Sequence, residues 1–250
     1  MKAAFRAIVA LGLVLGLAGK ASAQGVTTGS INGTVVDEQG QVVPGASIVA
    51  VHVPSGSKYE TVTRGDGGFS IPGMRVGGPY TVTASLSGFT DGVQKEIYVV
   101  LGGTRDLSLT LRTGGVAEEI TVTAAVDPIF SSGRTGAATS VDREVLDSLP
   151  TVSDRINDFA RLTPQYTGGP FGGSFVGQDN RLNNVTIDGS YFNNSFGLAG
   201  APGDRTGVAP IAMAAIEAVQ VNIAPYDVRQ GNFVGAGVNS VTRSGGNEFR

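Results

Sequence analysis

Tyr80-Thr-Val-Thr-Ala-Ser-Leu86 alternates without a break, with Tyr80, Val82, Ala84 and Leu86 on one side and Thr81, Thr83 and Ser85 on the other. A period of two sends successive side chains to opposite faces of a strand. The stretch therefore predicts a half-buried β-strand with its apolar set against a core. Leu107, Leu109 and Leu111 repeat the pattern against Asp106, Ser108, Thr110 and Arg112. Upstream, Ile31–Val36, Ala46–Val53, Lys58–Arg64 and Phe69–Ile71 read as further short strands. They are separated by the turn-forming runs Asp37-Glu-Gln-Gly40, Pro44-Gly45 and Gly65-Asp-Gly-Gly68. Short alternating strands at this spacing predict an antiparallel β-sandwich. Within Ala46–Val53, taking Val49, Val51 and Val53 as the core face places His52, the single histidine, in solvent.

Two segments carry a resemblance that sharpens this reading: Asn32–Ala50 (NGTVVDEQGQVVPGASIVA) and Thr63–Phe89 (TRGDGGFSIPGMRVGGPYTVTASLSGF). They resemble the carboxypeptidase-regulatory-like family, which implies a transthyretin-like, seven-stranded β-sandwich over residues 24–112. That fold is grouped with carbohydrate-binding-like sandwiches, but a fold does not establish a sugar site. Tyr59, Phe69, Tyr80, Phe89 and Tyr98 are the aromatic residues available for one. Tyr80 and Phe69 fit a core role better.

The N-terminus reads as a secretory leader, residues 1–23. Lys2 and Arg6 precede an apolar run from Ala7 to Ala18, and Ala21-Ser-Ala23 supplies a small-residue cleavage site before Gln24. The run is shorter than the roughly 20 residues a helical span needs. There is no cysteine, hence neither a disulfide nor a lipid-acceptor thiol. The 18 basic residues less Lys2, Arg6 and Lys20 leave 15 against 21 acidic ones, a net charge of −6. Such a balance disfavours nucleic acid as a partner.

Composition shifts after Arg112: lysine disappears beyond Lys95, and asparagine gathers between Asn180 and Asn194. Residues 113–135 read as a linker. They contain Glu118-Glu-Ile-Thr-Val-Thr-Ala-Ala125, an alternating strand with no hairpin partner nearby in sequence. Unpaired backbone of this kind is available to the sheet edge of another protein. Beyond it, Thr139 or Ser140 is predicted to cap a helix with Val141, Val145 and Leu149 on its apolar stripe. Val152, Ile156 and Phe159 mark a second helix, with Thr151 or Ser153 as its cap and Pro164 as its stop. Asn184–Ile187 reads as a strand entering the Asp188-Gly189 turn, Ile211–Ala215 as a helical turn, and Glu217–Ile223 as a strand. The glycines from Gly235 onward suggest close packing before a last strand.

Leu146–Tyr166, Asn180–Asn194 and Ile216–Phe249 occur in the order found in plug domains, and EEITVTAA occupies the place of a TonB box. The chain thus resembles the N-terminal part of a TonB-dependent outer-membrane receptor. Ala224-Pro-Tyr-Asp-Val-Arg-Gln-Gly231 departs from the usual plug sequence in the manner of the Oar-like subgroup. The resemblance implies a plug over residues 136–250, α+β in class, following the sandwich. It implies Glu119, Ile120, Thr121, Val122, Thr123 and Ala124 as the segment held by the C-terminal domain of a TonB-type energy transducer. Asn183, Asn184, Tyr191, Phe192, Asn193 and Asn194 are implied at a ligand-facing apex. The partners implied are that transducer, the receptor's own β-barrel and an unidentified small or macromolecular ligand. The localisation implied is the outer membrane, with the sandwich in the periplasm. No succession of barrel strands follows Asn247, so the chain is expected to be a piece of a longer receptor, either a fragment or a truncated gene product. Eight arginines between Arg134 and Arg243 suit either the polar barrel wall or ordinary solvent.

Enzymatic chemistry finds no support. One histidine cannot supply a His₂Glu zinc site. Gly172-Gly-Ser-Phe-Val176 lacks the last glycine of a nucleophile elbow. No cofactor or metal is expected. The alternative to transport is a periplasmic or surface module that binds carbohydrate or protein.

Overall fold

The computed structural model describes residues 26–114, 136–149, 155–169, 172–194, 200–206, 208–209, 211–225 and 230–246. The leader, its cleavage point at Ala23 and Gln24, and the segment Glu118–Ala125 lie outside the described residues.

Strands β1 (Thr28–Asp37), β2 (Ser47–His52), β3 (Lys58–Val62), β4 (Gly68–Arg75), β5 (Gly77–Ser85), β6 (Phe89–Thr90), β7 (Gly92–Val99) and β8 (Thr104–Thr113) build the N-terminal unit. They form two four-stranded sheets, β4-β1-β8-β6 and β3-β2-β5-β7. The count is eight when the two-residue β6 is included, against the seven expected. The pairing is not wholly antiparallel either, because β1 and β8 run parallel from Ser30↔Thr104 to Asp37↔Leu111. These are the first and last strands of the unit, and no local pattern records such a long-range pairing.

The alternation of Tyr80–Leu86 and Leu107–Leu111 meets the fold as expected. Tyr80, Val82, Ala84, Leu107, Leu109 and Leu111 are buried and join Ile31, Val35, Ile48, Phe69, Ile71 and Met74 in one core, with Leu86 packed at its margin. Gly33 faces this core from β1. A Cβ there would stand 2.4 Å from the Leu107 carbonyl and 2.6 Å from the Phe69 ring, so the absent side chain is the space that Phe69 fills.

His52 corrects the sequence reading. It is buried, in phase with Ile48 and Ala50, whereas Val53 is exposed. The larger valines misassigned the face. The small Ala50 is inward between Val82 and Tyr59 on the neighbouring strands, and His52 lies opposite Tyr80. The His52 ring packs on Tyr80 at a centroid distance of 4.8 Å, and its Nδ1 meets Ser55 Oγ at 2.6 Å. Burial, and then the charge of Arg75, hold the imidazole below its ordinary value, since both penalise the cation.

The C-terminal unit comprises β9 (Gly136–Val141), α1 (Arg143–Ser148), α2 (Ile156–Ala160), β10 (Tyr166–Gly169), β11 (Gly172–Phe175), β12 (Asn184–Ile187), β13 (Ser190–Tyr191), β14 (Ile216–Pro225) and β15 (Gly237–Thr242). Its main sheet has the order β13-β12-β15-β14-β9, with β10 and β11 a separate hairpin. Thr139, Ser140 and Val141 belong to strand β9 rather than to a helix start. The cap of α1 is Asp142, whose Oδ1 accepts from the Val145 N–H at 3.2 Å. The buried residue of that helix is Leu146, while Val145 is exposed. Spacing of four fitted Val141, Val145 and Leu149 to one helix face. The pairing of Val141 with Val219 shows that tertiary ladder bonds claimed the first of them. In α2, Ile156 and Phe159 are buried as expected, and the helix ends at Ala160, ahead of Pro164. The proposed caps Thr151 and Ser153 lie outside the described residues.

Arg143 ties α1 to the sheet. Its guanidinium donates to the Met213 and Ile216 carbonyls at 3.1 and 3.0 Å and forks onto the Asp147 carboxylate. Its role in the described residues is internal. Arg181 likewise grips Asp179, at 3.0 and 2.9 Å.

Candidate functional site

The five-stranded sheet presents two unlike faces. Strand alternation places Val219 and Val221 of β14, Val238 of β15 and Val185 of β12 on one side. There they pack with Leu146, Ile156, Phe159 and Phe175 into an apolar core. The same alternation places Ala218, Gln220 and Asn222 of β14, Asn239 of β15 and Asn184 and Thr186 of β12 on the other. All of these are buried too.

A chain of amide hydrogen bonds satisfies that second face. Thr186 Oγ1 donates to Asn239 Oδ1 at 2.8 Å, and Asn222 Nδ2 donates to Gln220 Oε1 at 3.0 Å. The chain continues into the N-terminal unit. Gln220 Nε2 donates to the Leu101 carbonyl at 2.7 Å, in a buried bond, and Asn239 Nδ2 donates to the Val26 carbonyl. Beside these bonds Val76 and Leu101 of the sandwich close on Ala218, with Val241 at the edge.

Two glycines at this seam, Gly77 and Gly102, hold positive φ, 94° and 64°, which favours glycine, and bring the sandwich backbone close to the sheet. A Cβ on Gly77 would lie 2.3 Å from Glu217 Oε1, and one on Gly102 3.0 Å from Gln220 Nε2. Glu217 faces Arg243 at 3.7 Å. Burial holds its carboxyl above the usual carboxylate range, and the charges of Arg243 and Arg143 offset part of that rise. A cavity of about 30 Å³, lined by Val26, Asn184, Thr186, Asn222 and Asn239 among others, adjoins the amide row. It has room for one or two waters among polar partners.

The residues predicted for an apex divide into two kinds. Asn183 is buried, with Nδ2 donating to the Gly173 carbonyl at 2.7 Å and Oδ1 accepting from the Ala236 N–H at 3.1 Å. Asn184 is buried as well. It donates to the Gly231 carbonyl at 3.1 Å and accepts from Asn193 Nδ2 at 2.9 Å. Asn193 Oδ1 in turn accepts from the Val185 N–H at 2.7 Å. Tyr191 is exposed, and Phe192, Asn193 and Asn194 are half-buried. The turn between β12 and β13 has Asp188 and Gly189 at positive φ, the two-residue form that matches strand twist. The Asp188 carboxylate secures it by accepting from Thr242 N–H and Oγ1 at 2.8 and 2.7 Å.

Sequence reasoning found β14 as a strand but gave Gln220, Asn222 and Asn239 no task. The signal was present: amides alternating with valine over Val219–Asn222, with no charge among those four residues. Of the aromatic residues considered for sugar, Tyr80 and Phe69 are buried in the core, and the Tyr59 hydroxyl accepts from the Arg75 N–H at 3.2 Å. Among the described residues no group of three His, Asp or Glu side chains is placed to hold a metal ion. No helix among them is long and apolar enough to cross a membrane.

Residues 30–112 match the carboxypeptidase regulatory-like domain family. Over 251 aligned residues the chain is 26% identical to the TonB-dependent transporter Oar of Myxococcus xanthus, covering 97% of this chain and 22% of that protein. Together the two matches support the N-terminal region of a TonB-dependent receptor. The chain spans about a fifth of its relative's length. Solved structures offer a fainter likeness. The Bacillus anthracis TIE protein aligns at 20% identity over 47% of this chain and 22% of its own, with a TM-score of 0.31. A type II cohesin-X-dockerin complex from Acetivibrio cellulolyticus aligns at 18% identity over 36% of this chain and 61% of its own, with a TM-score of 0.28. Scores this low carry no functional information.

Proposed function

We propose that the chain is the N-terminal portion of a TonB-dependent outer-membrane receptor of the Oar-like subgroup. Its C-terminal unit is the plug that gates uptake through the receptor's own β-barrel, and the sandwich lies on the periplasmic side. The supporting observation is one continuous alignment that runs through the sandwich, the linker and the mixed α+β unit. Residues Glu119–Ala124, between β8 and β9, are the transducer-binding tether. An extended segment with Ile120 and Val122 on one side and threonines on the other adds to a sheet edge through its main chain, and its alternate side chains give specificity. At the opposite role, Tyr191 and Phe192 offer ligand-contacting surface on a turn that Asn183, Asn184 and Asn193 hold in place. The chemistry of the reading is mechanical, with no bond made or broken.

The tether is tested by Ile120→Pro. Proline removes a backbone donor from the ladder and fixes φ. Binding of the chain to the C-terminal domain of the transducer, followed by isothermal calorimetry, is expected to fall at least tenfold. Equal binding by parent and variant would remove this segment from the mechanism.

A further inference from the structure

Among the described residues, the two units meet through contacts of two kinds, apolar and polar. Among the described residues, the buried apolar cluster at the seam is Val76, Leu101 and Ala218, with Val241 at the margin. Beside it lie polar contacts: Gln220 on the Leu101 carbonyl, Asn239 on the Val26 carbonyl, Glu217 over Gly77, and Tyr98 in the field of Glu144 and Asp142. An apolar interface that parts must expose hydrocarbon to water, which is costly in proportion to area. An amide interface that parts exchanges protein hydrogen bonds for bonds to water, at a small net cost per bond. The opposite face of the same sheet shows the other choice, valine against leucine and phenylalanine.

We infer that the sandwich is a releasable latch on the amide face of the C-terminal sheet, held shut by Gln220 and Asn239 and able to part while both units stay folded. Each unit keeps its own apolar core when the seam opens, since the two clusters share no residue. Opening wets Gln220 and Asn239, whose partners lie across the seam, with Thr186 beside them on the same face. The ladder registers align Thr186 with Asn239 and Asn239 with Gln220, so the newly hydrated groups form a continuous polar track rather than scattered sites.

Topology connects the latch to the linker. The chain leaves the sandwich at the end of β8, the strand that follows the Leu101–Gly102 turn, and enters the C-terminal unit at β9. Strand β9 pairs with β14, where Ser140 lies opposite Gln220. Tension on the linker therefore acts on the C-terminal unit through β9, the strand paired with β14 beside Gln220. This last step rests on the tether reading above. The release itself does not.

The test uses the chain without any transducer, so its failure and that of the tether reading are separable. The sequence has no cysteine, and Lys58 and Ser190 are exposed, one on each unit. Lys58→Cys with Ser190→Cys therefore accepts a donor and acceptor dye pair cleanly. Single-molecule energy transfer on the parent is expected to show a dominant closed population and a minor open one. Gln220→Ala with Asn239→Ala removes both cross-seam amide bonds and is expected to raise the open population on the order of tenfold, with the circular dichroism of folded β-structure retained. Val76→Ser, on the sandwich side, weakens the apolar limb without altering the C-terminal unit and is expected to shift the population in the same direction. If the double variant loses its fold, Val76→Ser decides by the same readout. An open population unchanged in the folded variants overturns the latch.

Discussion

The interior of the sandwich and the seam beneath it are built from opposite materials. Inside, Tyr80, Phe69, Met74, Leu111, Ile31 and Ile48 interlock with almost no exposure, and the few polar groups are spent locally: Tyr80 donates its hydroxyl to the Arg75 carbonyl at 2.7 Å. At the seam the apolar contribution shrinks to a few side chains, and long-range amide bonds do the joining. The first arrangement loses packing and exposes hydrocarbon if any part yields. The second comes apart one hydrogen bond at a time. The difference separates a contact made once, during folding, from one made and unmade in service.

The sharpest way to break the contrast is from the sandwich side. Tyr80→Ala removes a fully buried ring that meets His52 and Tyr59 and leaves a cavity between the sheets. A loss of about 3–5 kcal/mol is expected, on the scale of aromatic-to-alanine changes in cores. Calorimetry should show the sandwich transition falling steeply while a separate transition of the C-terminal unit survives. A single shared transition for both units in parent and variant would mean that the seam is as permanent as the core.

Gly33→Val probes the same core by excess rather than deficit. The new Cβ meets the Leu107 carbonyl and the Phe69 ring at distances no packed atoms hold, and the second of these can yield only by disturbing the core. A cost of about 1–3 kcal/mol is expected in urea unfolding of the sandwich. The dye-pair population described above should stay as in the parent wherever the sandwich is folded. A shift in that population would show that strain travels from core to seam and that the two are not independent.

The same contrast explains what was legible in the sequence. Alternation betrayed the strands around Tyr80 and Leu109 because their neighbours are single-sided: hydrocarbon within, hydroxyl without. It misled at His52, where bulk voted for Val49, Val51 and Val53 and the inward face belonged to Ile48 and Ala50. It misled again at Val141, where four-residue spacing suited a helix but a distant strand, β14, supplied the partner. The Asp188-Gly189 turn was legible because its chemistry is local. The amide row was not, since Gln220, Asn222 and Asn239 look like solvent-facing positions until another unit is placed over them. Composition reports the polarity of a face, and a folded partner decides whether that face is wet.

The mildest probe acts on charge rather than shape. Glu217 is half-buried at the seam, with Arg243 at 3.7 Å and the charges of Arg143, Asp147 and Asp142 acting on it from α1 and its cap. Burial raises its pKa above the ordinary glutamate value of 4.5, so the closed seam retains the proton longer than an exposed carboxyl would. A raised carboxyl contributes stability that is complete below 4.5 and is lost as pH rises through the raised value. Closure in the dye-pair assay is therefore expected to weaken slightly across a window beginning near pH 4.5 and to level off above it. Glu217→Gln keeps the shape and removes the titration, so its closed population should be flat through that window after the changes common to both proteins are subtracted. An identical slope in parent and variant would assign the pH response to the exposed acids instead. A slope of the opposite sign would mean that the Arg243 pairing outweighs desolvation, making the carboxylate, not the acid, the form that holds the seam shut.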